Sequence, residues 1–231
     1  MEEFILKGGY VTKDRRLDRI PEFDERSKMY RVTALTTERQ PINKIHLCTS
    51  VLDQGVEGAC VGFGLSHALL AEPFQMKKQL ITPKFAREKI YWPAQHDDPW
   101  PGGSYPGADP YYEGTSVLSG VKVLHKEKLI KGYHFAFSFT DLVIGVCYKG
   151  PPVIGIKWFE GMQTPDKNGF VFPTGRLVGG HCLIISGINW FEEYFLLHNS
   201  WGKKWGIFGQ CKVRFVDMAK LMVGGEFIFL T

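Results

Sequence analysis

The chain lacks any apolar run of the roughly 18 residues needed to cross a bilayer. The longest candidate, residues 142–159, is interrupted by Lys149, Pro151, Pro152 and Lys157. It also lacks an excess of one charge: 28 lysines and arginines against 24 aspartates and glutamates leave only +4. Basic residues crowd together only at Lys13 to Arg19, where Asp14 and Asp18 intervene. A nucleic-acid surface needs a basic stripe on a readable module, and neither is present. Neither a membrane nor a nucleic acid is therefore expected as partner, and the surplus charge reads as solubility. Cysteine is scarce and unpaired in pattern. Cys48, Cys60, Cys147, Cys182 and Cys211 are odd in number and contain no C-x-x-C. That excludes a disulfide framework and a structural zinc site, so no metal or other cofactor is expected. Glu2, Glu3 and Lys7 around a short Phe4-Ile5-Leu6 do not make a secretory signal, and with free thiols the expectation is a reducing, cytoplasmic setting.

What is present has the balance of a globular protein, with 44% hydrophobic and 23% charged residues in 231. That length suits one large domain or two small lobes. Residues 1–50 are polar and irregular, with a strand expected around Tyr30 to Leu35. Residues 59–72 place Val61, Leu65, Ala68 and Leu69 on one helical face, and Pro73 ends the run. A second helix is predicted from Pro83 to Trp92 with Thr82 as its cap. Residues 93–114 read as a long, Pro- and Gly-rich loop, and a third helix spans Ser116 to Lys128. From residue 135 the period shifts towards two. Strands are predicted at 153–156, 182–185, 194–197, 212–215 and 227–230. Helices first and strands later predict an α+β protein with segregated layers.

Three segments carry candidate chemistry: Asp53 to Cys60, Gly179 to Cys182, and His198 to Gly206. Cys60 stands where a Gly-rich turn gives way to a helix. Unsatisfied N–H groups and the positive end of the helix dipole there favour a nucleophilic thiolate, although an inert packed cysteine fits the position equally. His181 could act as general acid and base or be a plain hydrogen-bonded histidine. Asn199 could fix its tautomer, with Trp201 and Trp205 shielding the contact, or be a turn residue beside two core indoles. Gln54, six residues before Cys60, could donate with the Cys60 N–H to a developing oxyanion, or simply end a turn.

The order Gln54, Cys60, His181, Asn199-Ser200-Trp201-Gly202 resembles the papain-like cysteine peptidases over residues 50–231. His181 and Asn199 follow Cys60 by 121 and 139 residues, close to the roughly 130–150 of that family. The resemblance implies a papain-like two-lobe fold within residues 51–231. A mainly helical lobe would span 51–134 and an antiparallel, barrel-like β lobe 135–231, with the active cleft between them. It implies Cys60 as nucleophile, His181 as acid/base, Asn199 as its orienting partner and Gln54 as oxyanion donor. Gly114, Gly180 and Trp201 would lie in the substrate-binding cleft, where only glycine lets a substrate backbone come close. The implied activity is hydrolysis of peptide bonds in a protein or peptide substrate through a thioester. The same groups would also serve a deamidase, acyltransferase or isopeptidase, and a catalytically silent binding module is a third reading.

The chain departs from that pattern in several places. Glu57 stands where relatives carry a bridged cysteine, Val61 where they carry Trp, and Gly180 where plant members carry a charge. Gly62 and Gly64 cost about 1 kcal/mol each in a helix relative to Ala. With 59 residues before Cys60, the chain resembles the prosegment-poor branch of prokaryotes and their viruses, which would make a host cytoplasm its setting if viral. Residues 1–20, with Arg15, Arg16 and Arg19, are expected to cross the lobes or plug the cleft. The remaining cysteines, and His46, His67, His96, His125 and His134, read as structural or solvated. The His96-Asp97-Asp98 run with Asp109 reads as a solvated loop, and Tyr105, Tyr111 and Tyr112 as groove lining or loop packing.

Overall fold

The computed structural model describes residues 2–32 and 39–231. Residues 33–38, which hold half of the strand expected at 30–35, lie outside the described part. The residues just before them, Glu25–Tyr30, form a 3-10 turn capped by Asp24 instead of a strand. Two short strands, β1 (Phe4–Ile5) and β2 (Val11–Thr12), pair with each other near the N-terminus, and β3 (Lys44–Ile45) follows.

Helix α1 (Cys60–Leu70) is buried on every side, as expected for a helix that is apolar all round. Its glycines are contact surfaces. A methyl group on Gly62 would overlap the Ala86 carbonyl oxygen, and one on Gly64 would lie 2.8 Å from Cys182 Sγ. The second predicted helix runs on past Trp92. Helix α2 (Pro83–Phe85), with Thr82 Oγ1 accepting from Phe85 N at 3.2 Å, passes through a π turn (Ala86–Tyr91) into α3 (Trp92–Asp97). Pro93 has no N–H to give the preceding turn, and widening the helix by one residue absorbs that gap. The start of the expected 93–114 loop is therefore helical. Helix α4 (Val117–Lys126) begins at Ser116, whose Oγ accepts from Ser119 N at 2.9 Å.

Strand β4 (Tyr133–Phe135) precedes a helix the alternation did not reveal, α5 (Phe139–Tyr148), capped by Ser138. Its run of Leu142, Val143, Ile144, Val146 and Cys147 is buried on most sides, so no polar face marks the helical period. Then come β5 (Val153–Phe159), β6 (Leu177–Asn189), β7 (Tyr194–His198), β8 (Gln210–Arg214), a second unforeseen helix α6 (Phe215–Leu221), and β9 (Glu226–Leu230). One antiparallel sheet orders them β4-β9-β5-β6-β7-β8, and β3 pairs with β6 where β5 has left its edge. The long β6 is its spine, with α1 packed on one side and α5 on the other.

Two hydrophobic cores result. One joins α1, α4 and the residues around Tyr91 to part of the sheet. The other gathers Leu142, Trp158, Phe195, Phe227 and their neighbours behind it. This is an α+β architecture of two lobes. All five cysteines are free. No described helix is long and apolar enough to cross a membrane.

Candidate active site

Strand β6 carries His181 in its middle, not at its start, and buries the ring completely. Asn199, just past β7, accepts from His181 Nε2 at 2.7 Å through Oδ1, which also accepts from Ser200 N at 2.8 Å. An amide oxygen is only an acceptor, so the imidazole proton sits on Nε2 and leaves Nδ1 with a lone pair. That Nδ1 is buried without a partner. The ring is walled by Trp158 (4.8 Å, edge-on) and Trp201 (5.0 Å, tilted), with Trp205 packed behind Trp201. Burial among these indoles pulls His181 down to about 4, against a smaller upward pull from Asn199.

Cys60 opens α1 and is fully buried. The Cys182 backbone, next to His181, lies close enough to lower its pKa, but larger effects oppose this. Burial first, then the nearby Asp18 carboxyl, push the thiol well above its ordinary value. The thiolate expected at a helix N-terminus is therefore not the species in this arrangement. Loss of solvent and an adjacent carboxyl outweigh the helix dipole. Cys60 Sγ–H donates to Asp18 Oδ1 at 2.9 Å, and the Cys60 N–H donates to the same oxygen at 3.2 Å.

Gln54 is also buried. Its Oε1 accepts from Ser200 Oγ at 2.6 Å, while Nε2 donates to Glu57 O at 2.7 Å and to Arg16 O at 3.2 Å. Both expected oxyanion donors thus already bind acceptors, and Arg16 and Asp18 both come from the N-terminal segment. That segment runs through the space between the lobes. Lys13 N donates to Val178 O at 2.8 Å, Arg19 N to Gly180 O at 3.1 Å and Ile20 N to Thr115 O at 2.9 Å. Glycines fit closely around it. A Cβ on Gly58 would lie 2.7 Å from Arg15 O, one on Gly114 3.0 Å from Asp18 O, and one on Gly180 would overlap Arg19 O. The Arg16 guanidinium lies 4.0 Å over the Trp201 ring.

Asp18, absent from the sequence-derived set, is completely buried and pushed up to about 7, chiefly by desolvation. Its Oδ2 accepts from Tyr91 Oη at 2.8 Å, and that hydroxyl in turn accepts from Gly114 N. The interruption of the basic cluster by Asp14 and Asp18 was the only signal in the sequence, and it gave no hint of a partner 42 residues away. Asp98, read as a solvated loop residue, is instead a buried partner of Lys7 at 2.7 Å. Ion pairing with a lysine brought from the N-terminus makes that burial tolerable. Among the described residues no group of three His, Cys, Asp or Glu is placed to hold a metal ion.

No family profile matches the chain. Cathepsin B-like protease 1 of Arabidopsis thaliana is 25% identical over 124 residues, or 49% of this chain, and the match spans about a third (32%) of that relative's length. Xylellain, a cysteine protease from Xylella fastidiosa, superposes with a TM-score of 0.65 at 18% identity, covering 95% of this chain and 97% of its own. Digestive procathepsin L2 proteinase of Tenebrio molitor larval midgut gives 0.56 at 16% identity, with 94% and 78% covered. The bromelain protease from Ananas comosus in complex with the E64 inhibitor gives 0.55 at 16% identity, with 80% and 94% covered.

Proposed function

We propose that this chain, which has the fold of the papain-like cysteine proteases, is a cysteine peptidase that hydrolyses peptide bonds through a thioester. The observation that carries the reading is the His181–Asn199 hydrogen bond of 2.7 Å, which leaves a bare Nδ1 on the strand packed against the Cys60 helix. His181 Nδ1 takes the thiol proton and the Cys60 sulfur bonds to the substrate carbonyl carbon. The Cys60 N–H and Gln54 Nε2 donate to the resulting oxyanion. Collapse breaks the C–N bond, and the imidazolium returns its proton to the leaving amine. His181 then takes a proton from water, whose oxygen attacks the thioester. Collapse breaks the C–S bond, the acid departs and the Cys60 sulfur takes back the proton held by His181. Asn199 keeps the ring in the tautomer that both halves need.

Residues 12–20 occupy the place where a substrate would lie, and on this reading they hold the enzyme inactive until displaced. Asp18 Oδ1 stands in for the oxyanion at the Cys60 N–H, and the Arg16 carbonyl holds the Gln54 amide. The deciding experiment is peptide hydrolysis by Arg19→Ala, which breaks the ion pair that holds the segment down, beside Arg19→Ala/Cys60→Ala. Turnover is expected to vanish in the second while circular dichroism is unchanged, and an undiminished rate there would refute the assignment.

A further inference from the structure

Helix α1 carries an imidazole of its own, His67, about two turns beyond Cys60 and on the same face. The ring is fully buried. Its Nε2 accepts from Leu52 N at 2.9 Å, which puts the ring proton on Nδ1, and that atom is buried with no partner. An orphaned buried N–H is costly, and leucine would fill the space without one, so packing alone does not account for this side chain. The bond to Leu52 does. The segment leading to Gln54 runs beside α1, where Thr49 N donates to Leu70 O at 3.2 Å. Among the described residues, no hydrogen bond except Leu52–His67 ties positions 50–54 to that helix. The same stretch is also laced to the β lobe. Gly202 N donates to Leu52 O at 3.3 Å and Gln54 N to Ser200 O at 2.9 Å. His198, the residue before Asn199, packs edge-on against His67 with ring centroids 4.4 Å apart. Burial, and then His198, pull His67 well below its ordinary value, which keeps the Nε2 lone pair available to Leu52.

Resting on the peptidase reading above, we infer that His67 is a positioning residue for the oxyanion hole: it fixes the loop that carries Gln54 to the helix that carries the Cys60 N–H, and so sets the spacing of the two donors. Helix α1 is then the common reference for both. The Cys60 N–H belongs to it, and Gln54 is registered to it through Leu52 and His67. Without the His67 acceptor, the Leu52 N–H would be buried and unpaired. Gln54 would then follow the β lobe alone, held by Ser200, and its distance from the Cys60 N–H would no longer be fixed. A donor misplaced by about 1 Å forfeits much of its effect on a developing charge.

The test uses the full chain opened by Arg19→Ala. Adding His67→Leu is expected to lower kcat on a blocked peptide by about tenfold or more with KM little changed, because the oxyanion exists only after attack. Adding His67→Gln instead, whose Oε1 accepts from Leu52 N in place of the ring nitrogen, is expected to recover most of that loss. In Arg19→Ala/Gln54→Ala the donor is already gone, and there His67→Leu is expected to change kcat by less than about twofold. An undiminished effect of His67→Leu in that background overturns the inference, as does His67→Leu without effect when Gln54 is present, or His67→Gln as slow as His67→Leu. The side-chain amide signals of Gln54, followed by NMR in the parent chain, give the same comparison without turnover. They are expected to shift with His67→Leu and to return with His67→Gln. That response, with no hydrolysis by Arg19→Ala, would sink the peptidase reading and leave the positioning role standing. Hydrolysis with Gln54 signals indifferent to His67→Leu would do the reverse. Should His67→Leu fail to fold, His67→Phe keeps a ring and removes the acceptor, and the same outcomes decide.

Discussion

In the closed cleft the Asp18 carboxyl is pushed up to about 7, while a carboxyl freed into water titrates near 3.8. Closing the segment over the thiol therefore takes up a proton between those values. Closure is favoured most below about pH 4 and loses that advantage as the pH rises through about 7. Hydrogen exchange at the Arg19 and Ile20 amides, corrected for the intrinsic rate, is expected to lose protection as the pH rises from about 4 to about 7 in the parent chain and to level off above that. Asp18→Asn keeps the shape without the titration, and its protection should be flat across the same range. Parallel profiles for the two proteins would contradict the account. At this scale the His181–Asn199 contact of 2.7 Å could be anticipated from the order of the motifs and the resemblance, since neither residue pointed to the other when taken alone. The sequence was uninformative about Asp18, whose role depends on a contact that only the folded backbone creates. The neighbouring pair offers a second check. Asn199→Ala leaves the Nε2–H of a buried ring without an acceptor and is expected to cost about 1–3 kcal/mol, measured by urea denaturation.

Among the elements, α1 separates propensity from packing. Glycine is a poor helix former, and replacing Gly62 by Ala would gain about 1 kcal/mol in an isolated helix. Here the added methyl would meet the Ala86 carbonyl oxygen and approach Tyr91 Cβ at 2.9 Å. Overpacking of this kind costs roughly 1–3 kcal/mol or more, so Gly62→Ala is expected to be net destabilising in chemical denaturation. A stabilised variant would mean that the π turn moves away freely. The same contrast explains which elements could be read in advance. Helix α4 shows polar and apolar faces, and its Ser116 cap is a local signal. Helix α5 is packed against the sheet over most of its surface, and its β-branched residues imitate a strand. Strand β6 was found only in part, because Gly179 and Gly180 dilute the strand pattern. Those glycines admit the N-terminal segment, with Gly179 facing Thr12 and Leu17.

Across the whole molecule, buried ion pairs fasten the N-terminal segment at both ends. Lys7 Nζ binds Asp98 at 2.7 Å and Gln95 O at 2.6 Å with no solvent contact, and Arg19 binds Glu226. Burial pulls the Lys7 ammonium below its ordinary value and pushes the Asp98 carboxyl above its own, while their hydrogen bond and mutual attraction oppose both shifts. Segregated helical and strand layers could be anticipated from the change of period near residue 135, and two lobes from the resemblance carried by Cys60, His181 and Asn199. The expectation that residues 1–20 cross the lobes or plug the cleft named no anchoring partners, because buried ion pairs leave no periodicity in a sequence. Lys7→Ala would strand a buried carboxylate, and breaking such a pair from one side costs about 3–5 kcal/mol. Asp98 also accepts from Thr115 Oγ1 at 2.8 Å, and the Thr115 carbonyl holds Ile20 N. The loss should therefore reach the thiol along Lys7, Asp98, Thr115 and Ile20. Two measurements on Lys7→Ala are expected to move together: a lower urea midpoint, and alkylation of Cys60 by iodoacetamide faster by about tenfold for each 1.4 kcal/mol of closure lost. Lys7→Met/Asp98→Leu removes both charges and should restore the midpoint and the slow alkylation. A Lys7→Ala protein with a normal midpoint and unchanged alkylation would show that the N-terminal strap and the cleft are energetically independent.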